Sequence, residues 1–285
     1  MVRRSASDYK RSGPSRKELK KARWDMKLRK RLIDILEPSC EGHLIRDVRI
    51  GLGYTAVQLD DGRTGVAYTL GREILGGCTA FAGKRPIAGS SAIQALHYLD
   101  SDGLVESALG LAAANAVANA APSQGVKDDI LKSVQLFPSD VVAMVGFFGP
   151  LVAEIQGRVA ELEIFEEHTG LLPHVRCSSE AVSAIPRCDV AFLTSTSIIN
   201  DTIDELLEAA QYCREVVLLG PSTPLVAEAF EGTGATWLSG IAVNDADGLL
   251  RLVSEGGGTR LFKPFVTKWN IPLPRDLSKT DTAVN

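Results

Sequence analysis

Residues 140–146 read DVVAMVG: five apolar residues in succession, entered from an aspartate and left through a glycine. An exposed amphipathic strand would alternate polar and apolar residues. A run without alternation fits a strand buried on both faces, as parallel strands between helix layers are. The same signature returns at Glu161–Phe165 (ELEIF), Cys188–Leu193 (CDVAFL), Glu215–Leu219 (EVVLL) and Ala235–Ile241 (ATWLSGI). Between them lie segments of helical character at Leu151–Val159, Thr202–Tyr212, Pro224–Phe230 and Asp245–Ser254. Strand and helix in alternation predict an α/β fold with an open, doubly wound, mostly parallel sheet and helices on both faces.

Upstream the pattern changes. Trp24–Leu36 alternates Trp, Met, Leu and Ile with charged residues, which predicts an amphipathic helix ended by Pro38. Ile45–Ile50, Tyr54–Leu59 and Thr64–Leu70 read as short strands. The last two flank Asp60-Asp61-Gly62-Arg63, a hairpin turn in which Gly62 takes a positive φ. After a glycine-rich loop from Gly71 to Gly89, Ser90 or Ser91 caps a helix through Tyr98. A second, Ala-rich helix runs from Leu104 to Ala121. Four parts are therefore expected: a basic leader at 1–23, a small α+β domain at 24–125, the parallel-sheet domain at 126–265, and a trailing arm at 266–285.

Length and composition limit the function classes. A chain of 285 residues suits about two domains, and 45% hydrophobic with 23% charged residues is ordinary for a globular protein. The longest uncharged apolar stretch, Val141–Ala153, falls short of the ~20 residues of a membrane span, and no signal-peptide core follows the N-terminus. Five scattered cysteines without CxxC spacing point to reduced thiols in the cytoplasm. Residues 1–31 carry 13 of the 31 Lys+Arg and only Asp8, Glu18 and Asp25 as acids, a net +10, which leaves −14 on the remainder. An acidic body argues against a nucleic-acid-binding core, so contact with nucleic acid is expected only as non-specific contact by the leader.

Ligands of an open parallel sheet bind outside the carboxyl ends of its strands. The first such end is Gly146-Phe147-Phe148-Gly149-Pro150. It lacks the glycines of a dinucleotide fingerprint, so a nucleotide cofactor is not expected, though Gly146 and Gly149 still make a tight strand-to-helix turn that either faces a ligand or only turns the chain. Glu166 follows 20 residues later, where dinucleotide enzymes hold a ribose. It reads equally as a metal-binding carboxylate, a general base or a plain loop residue. With His168, His174 and Cys177 it forms a local set of carboxylate, imidazole and thiol donors of the kind transition metals accept. The next ends carry Thr194-Ser195-Thr196-Ser197 with Asn200, then Gly220-Pro221-Ser222-Thr223-Pro224. Thr202 with Glu205 fits a capping box, and Thr223 or Ser222 fits a cap before Pro224. Hydroxyls and helix N–H groups at two strand ends predict a preference for a carboxylate, phosphate or chelated anion. Asn115 and Asn119 share a face of the Ala-rich helix, to bond backbone or to reach a site.

The sequence resembles the putative heavy-metal chelation family of prokaryotes. The resemblance runs from about Trp24 to Phe265. It rests on the hairpin Tyr54–Leu70, GLAAANAV (Gly110–Val117), the Gly146–Pro150 turn, IFE ending at Glu166, DVAFLTSTSIINDT (Asp189–Thr202) and LLGPSTPL (Leu218–Leu225). It implies an enolase N-terminal-like domain followed by a Rossmann-like domain, and a site in the cleft between them for a transition-metal ion, a metal chelate or a chelating small molecule. Matched residue by residue, it points to Asn115, Glu166, Thr194, Thr196, Asn200, Gly220, Pro221 and Ser222, with Glu166 and His168 as candidate metal ligands. A homodimer is expected, because the small sheet leaves a face or edge to cover. Two alternatives stand beside this one: a nucleotide-dependent enzyme with Glu166 on the ribose, and a non-catalytic scaffold or regulator that recruits a partner through its leader.

Overall fold

The protein is described by a computed structural model covering residues 26–70, 80–120, 122, 124–167 and 174–274. The leader at 1–23, Trp24, part of the glycine-rich loop, His168 and the end of the trailing arm lie outside the described residues.

The large sheet contains β4 (Val141–Val145), β5 (Glu161–Glu166), β6 (Val175–Cys177), β7 (Val190–Thr194), β8 (Glu215–Leu219), β9 (Trp237–Val243) and β10 (Val266–Pro272). Their order is β10-β9-β8-β7-β4-β5-β6, parallel throughout except that β10 runs antiparallel to β9. The chain leaves β4 towards β5 and β6, then returns to β7 on the other side. A crevice opens where direction reverses, between the ends of β4 and β7. Alternate residues of these strands serve two cores. Ala143, Val145, Phe165, Leu193 and Leu218 enter one. Val142, Met144, Ile164, Phe192 and Val217 enter the other. This double burial is why the strands carry no polar alternation.

The first half holds α1 (Leu28–Cys40), an antiparallel sheet of β1 (Ile45–Ile50), β2 (Tyr54–Leu59) and β3 (Thr64–Tyr68), then α2 (Ala92–His97) and α3 (Leu104–Ala118). Ser91 caps α2 by accepting from the Ile93 N–H, and Gly62 turns the hairpin at φ 92°. The Ala-rich α3 is buried from Val105 to Ala116. Small residues on both partners permit this. A Cβ added at Gly65 of β3 would stand 2.1 Å from the Ala116 nitrogen, and one at Gly110 of α3 would stand 2.0 Å from the Leu99 nitrogen. Backbone thus lies directly on backbone.

The two halves share one core. The cluster containing Val145, Phe165 and Leu218 continues through Leu32, Leu96, Leu99 and Leu109. Buried arginines of α1 add polar ties. Arg29 donates to the Ile198 carbonyl at 2.7 Å and to that of Ile199, and Arg31 reaches the Ala229 and Glu231 carbonyls.

Several boundaries differ from the sequence reading. Helix α1 passes through Pro38 to Cys40, because a proline in the last turn forfeits only one helical hydrogen bond. Helix α3 stops at Ala118 rather than Ala121, where Asn119 turns to tertiary partners. Helix α4 spans Gly149–Ile155 instead of Leu151–Val159, and Gly157 breaks it at φ 86°. A four-residue helix α5 (Ala181–Ala184) precedes β7, and α6 (Ile203–Ala209) is shorter than expected. Pro224–Phe230 forms only a 3-10 turn, Ala227–Phe230, and the Leu225 N–H ahead of it is bonded to Asn119. Helix α7 (Ala246–Ser254) starts as expected, capped by Asp245. The trailing arm expected at 266–285 supplies the edge strand β10. None of the helices among the described residues is long and apolar enough to cross a membrane.

Gly65→Ala is expected to lower stability by ~1–3 kcal/mol through overpacking against α3. The check is a lower urea midpoint with unchanged slope. Gly53→Ala, where a Cβ meets nothing within 4 Å, should leave the midpoint nearly in place.

Candidate functional site

The crevice at the strand ends is a cavity of about 940 Å³. One wall comes from the first half through Tyr54, Tyr68, Leu70 and Leu104; the floor and far wall come from the ends of β4, β5, β7 and β8.

Gly146 opens the floor. At φ 90°, a Cβ there would lie 2.9 Å from the Thr194 Cβ, so the β4 turn and the β7 end approach this closely only with glycine. Glu166, at the end of β5, is held on both oxygens. Its Oε2 accepts from the Phe147 N–H and its Oε1 from the Glu167 N–H, each at 2.9 Å. The carboxylate is therefore oriented before any ligand arrives. Neighbouring Glu167 accepts from Ser178 Oγ at 2.5 Å.

Residues Ser195–Ile198 make a 3-10 turn, capped by Thr194 at the end of β7. The Thr194 and Thr196 hydroxyls bond each other at 2.9 Å, and Ser197 Oγ donates to the Thr194 carbonyl. Asn200 Oδ1 accepts from Thr202 Oγ1 at 2.8 Å. Thr202 makes no side-chain cap, so the expected capping box is absent.

The loop after β8 is the most heavily tied. Gly220 sits at φ 115°, and its carbonyl accepts from the N–H and the hydroxyl of Thr223. Ser222 Oγ accepts from the Tyr68 N–H at 2.9 Å, which joins β3 to this loop. Asn115 Nδ2 donates to the Val66 and Ser222 carbonyls at 2.8 and 3.1 Å. Asn119 donates to the Thr223 and Ile241 carbonyls at 2.9 and 3.1 Å, while its Oδ1 accepts from the Leu225 N–H at 2.8 Å. The hydroxyls expected as caps thus go elsewhere: Ser222 to β3, and Thr223 to its own loop and to Ser195.

Of the residues singled out by sequence, Gly146, Glu166, Thr194, Thr196, Asn200, Gly220, Pro221 and Ser222 line this one cavity. Asn115 does not. It is 1% exposed and stands behind Ser222 as part of the wall's support. Exposed His174 and Cys177 are not among the lining residues, and His168 lies outside the described residues. The sequence reading missed Tyr54 and Tyr68, paired across β2 and β3 with rings 5.5 Å apart, as well as Phe148 and Glu205. Both tyrosines end strands of the hairpin at the edge facing the loops, a signal legible only once the hairpin is docked. Burial pushes the Tyr54 hydroxyl well above its ordinary range, so it enters the wall as a neutral phenol.

The charge of the cavity corrects the expected preference for an anion. Its described lining carries Glu166, Glu167 and Glu205 and no Lys, Arg or His. Many of its hydroxyls are spent on internal hydrogen bonds. The Phe148 ring bridges the Gly146 and Gly220 loops, within 3.3 and 3.9 Å of a Cβ placed at each. An aromatic ring thus fills the space where a dinucleotide pyrophosphate would approach glycine backbone. Among the described residues the cavity does not bring three His, Cys, Asp or Glu ligand atoms together.

Comparison with known proteins gives a consistent set of matches. Two family models, both described as putative heavy-metal chelation, match residues 33–118 and 129–272. An uncharacterized protein of Methanocaldococcus jannaschii is 25% identical over 261 residues, covering 86% of this chain and 96% of the relative. A solved protein of unknown function from Pyrococcus horikoshii, of the family matched at 129–272, superposes with a TM-score of 0.77 at 24% identity, over 86% of this chain and all of that one. A second, from Desulfitobacterium hafniense, gives 0.70 at 23% identity, over 85% and 98%. At these identities the two structures show a shared fold.

Asn119→Ala removes three hydrogen bonds, two of them fully buried, and leaves the Thr223 and Ile241 carbonyls and the Leu225 N–H without that partner. The expected loss is about 2–4 kcal/mol. Denaturant unfolding measures it, with Gln124→Ala, an exposed position, as the neutral control.

Proposed function

The chain belongs to the putative heavy-metal chelation family, and from that premise we propose that its cleft binds a metal as a complex with a small organic chelator. The observation that carries this reading is the size and lining of the cavity. At about 940 Å³ it matches pockets that enclose whole small molecules, of about 300–1,000 Å³, whereas a bare ion needs only a few convergent ligand atoms. Aromatic walls at Tyr54, Tyr68 and Phe148 favour an organic body. The clamped carboxylate of Glu166, with Glu167 and Glu205 nearby, favours positive charge or donated hydrogen bonds on that body. In this arrangement Glu166 holds one polar group of the chelate, the Thr194–Thr196 hydroxyl pair holds a second, and the loop at Gly220–Ser222 closes the end.

The nucleotide-dependent alternative has only the spacing of Glu166 behind it, and the position of the Phe148 ring opposes it. The recruiting role of the basic leader concerns residues outside those described.

The test is calorimetric titration of the full chain with zinc, nickel, cobalt, copper and ferric ions, each free and as its histidine and citrate complexes. A complex is expected to bind more tightly to the cleft than its free metal. Glu166→Gln should weaken that binding by roughly 10- to 100-fold, the loss of a charge-assisted contact of ~1.5–3 kcal/mol. Binding of every complex weaker than millimolar, or an unchanged isotherm for Glu166→Gln, overturns the proposal.

A further inference from the structure

One cluster of metal-ligating atoms lies away from the cleft. At the turn between β2 and β3, ligand atoms of His43, Asp60 and Asp61 all fall within 4.8 Å of one another, the one such group among the described residues. His43 Nδ1 is 2.8 Å from Asp60 Oδ1 and 3.6 Å from Asp61 Oδ2. The backbone holding them is ordered by its own bonds. The Asp60 N–H donates to the Leu44 carbonyl at 2.9 Å, and the Leu59 N–H donates to that of Arg63 at 2.8 Å. Gly62 supplies the positive φ that keeps two consecutive aspartates on a tight turn. His43 is anchored through its carbonyl, which accepts from the Ala92 N–H at 2.9 Å. All three side chains are partly exposed, so a hydrated ion can reach them.

We propose that His43, Asp60 and Asp61 form a surface site for a divalent transition-metal cation, separate from the cleft. The donor set decides the class of ion. One imidazole nitrogen and two carboxylate oxygens suit borderline cations such as Zn²⁺ and Co²⁺. A ring nitrogen gives little to Ca²⁺ or Mg²⁺, which take oxygen.

Arg63 acts as a built-in competitor. Its Nε lies 2.6 Å from Asp61 Oδ2, and its N–H donates to Asp61 Oδ1 at 3.0 Å. Entry of a cation at Asp61 displaces the guanidinium, which has a second acceptor in the Ser39 carbonyl at 3.3 Å. Occupancy is therefore set by metal concentration against a fixed internal cation. The site opens when the ion is abundant and reverts to a salt bridge when it is scarce. Tyr54, at the far end of the six-residue β2, lines the cleft, so about 17–20 Å separates the two places.

The experiment is titration of the full chain with Zn²⁺ by calorimetry and with Co²⁺ by visible absorption, on wild type, Glu166→Gln, His43→Ala, Asp61→Asn and Arg63→Gln. One equivalent is expected to persist in Glu166→Gln. In His43→Ala and Asp61→Asn it should weaken by at least tenfold, since even outer partners of a ligating histidine alter affinity by about 10- to 100-fold. In Arg63→Gln it should tighten by about tenfold. Wild-type isotherms in both His43→Ala and Asp61→Asn, or no persisting equivalent in Glu166→Gln, overturn the proposal. Weaker binding in Arg63→Gln overturns the competitor role. Asp61→Asn keeps the shape of an exposed turn residue, so it reads out the site even where His43→Ala perturbs the fold.

Discussion

Two carboxamides one turn apart on a buried helix hold the cleft in shape. Asn115 within α3 and Asn119, the residue that caps its C-terminus, donate to backbone carbonyls of other segments: Val66 on one side, and Ser222, Thr223 and Ile241 on the other. A buried carbonyl without a donor costs about 1–3 kcal/mol, so the fold must bring a donor to each. The helix carrying Asn115 is rich in alanine, and small residues let it lie close enough to β3 for a short Asn to span the gap. The packing at Gly65 and the hydrogen bonds at Asn115 are therefore one arrangement. Removing either loosens the other.

The consequences extend to function. The Gly220–Ser222 loop borders the cleft, and it is bonded from beneath by Asn115, from the side by Tyr68, and internally through Thr223. A ligand meets a loop whose entropy has already been lost on folding, which lowers the cost of binding. Glu166 follows the same logic, since two backbone N–H groups orient it. Glu166 is thus placed by backbone bonds, whereas the Thr194 and Thr196 hydroxyls, like Asn200 and Thr202, hold one another. Its aromatic residues come from different elements, and they offer a surface that an organic molecule can cover.

Much of this fold was legible in the sequence because burial on both sheet faces leaves a mark. Val141–Val145 and Glu215–Leu219 are continuous apolar runs, and no helix pattern competes with them. The cleft residues were legible for a related reason. Strand ends in a parallel sheet point to one edge, so Gly146, Glu166, Thr194 and Gly220 meet there once the strands are ordered. What could not be read depends on partners distant in sequence. Pro224–Phe230 has helical composition, yet only Ala227–Phe230 turns, as a 3-10 segment, and the Leu225 N–H ahead of it goes to the distant Asn119. Strand β10 contains Lys268, Trp269 and Asn270, a mixed pattern that suits an edge exposed on one side. Asn115 was visible as a polar residue among alanines, but its direction was not. It points to Val66 and Ser222 and supports the cleft from behind.

The hairpin of β2 and β3 carries Tyr54 and Tyr68 at the cleft and the Asp60–Arg63 turn at its other end. Coupling between the two ends requires the hairpin to shift as a body. That shift is opposed at several points: the Tyr68 N–H is bound to Ser222, Gly65 lies against the α3 backbone, and Thr55 and Thr69 bond each other at 2.8 Å in the interior. A single surface ion pair, worth about 0.2–1 kcal/mol, cannot pull these contacts apart. Exchange of Arg63 for a metal at Asp61 is therefore a local event at the turn. On the proposed reading, loading at the turn leaves the cleft wall in place, because the Tyr68–Ser222 bond and the packing of Gly65 on α3 pin the hairpin between the two places.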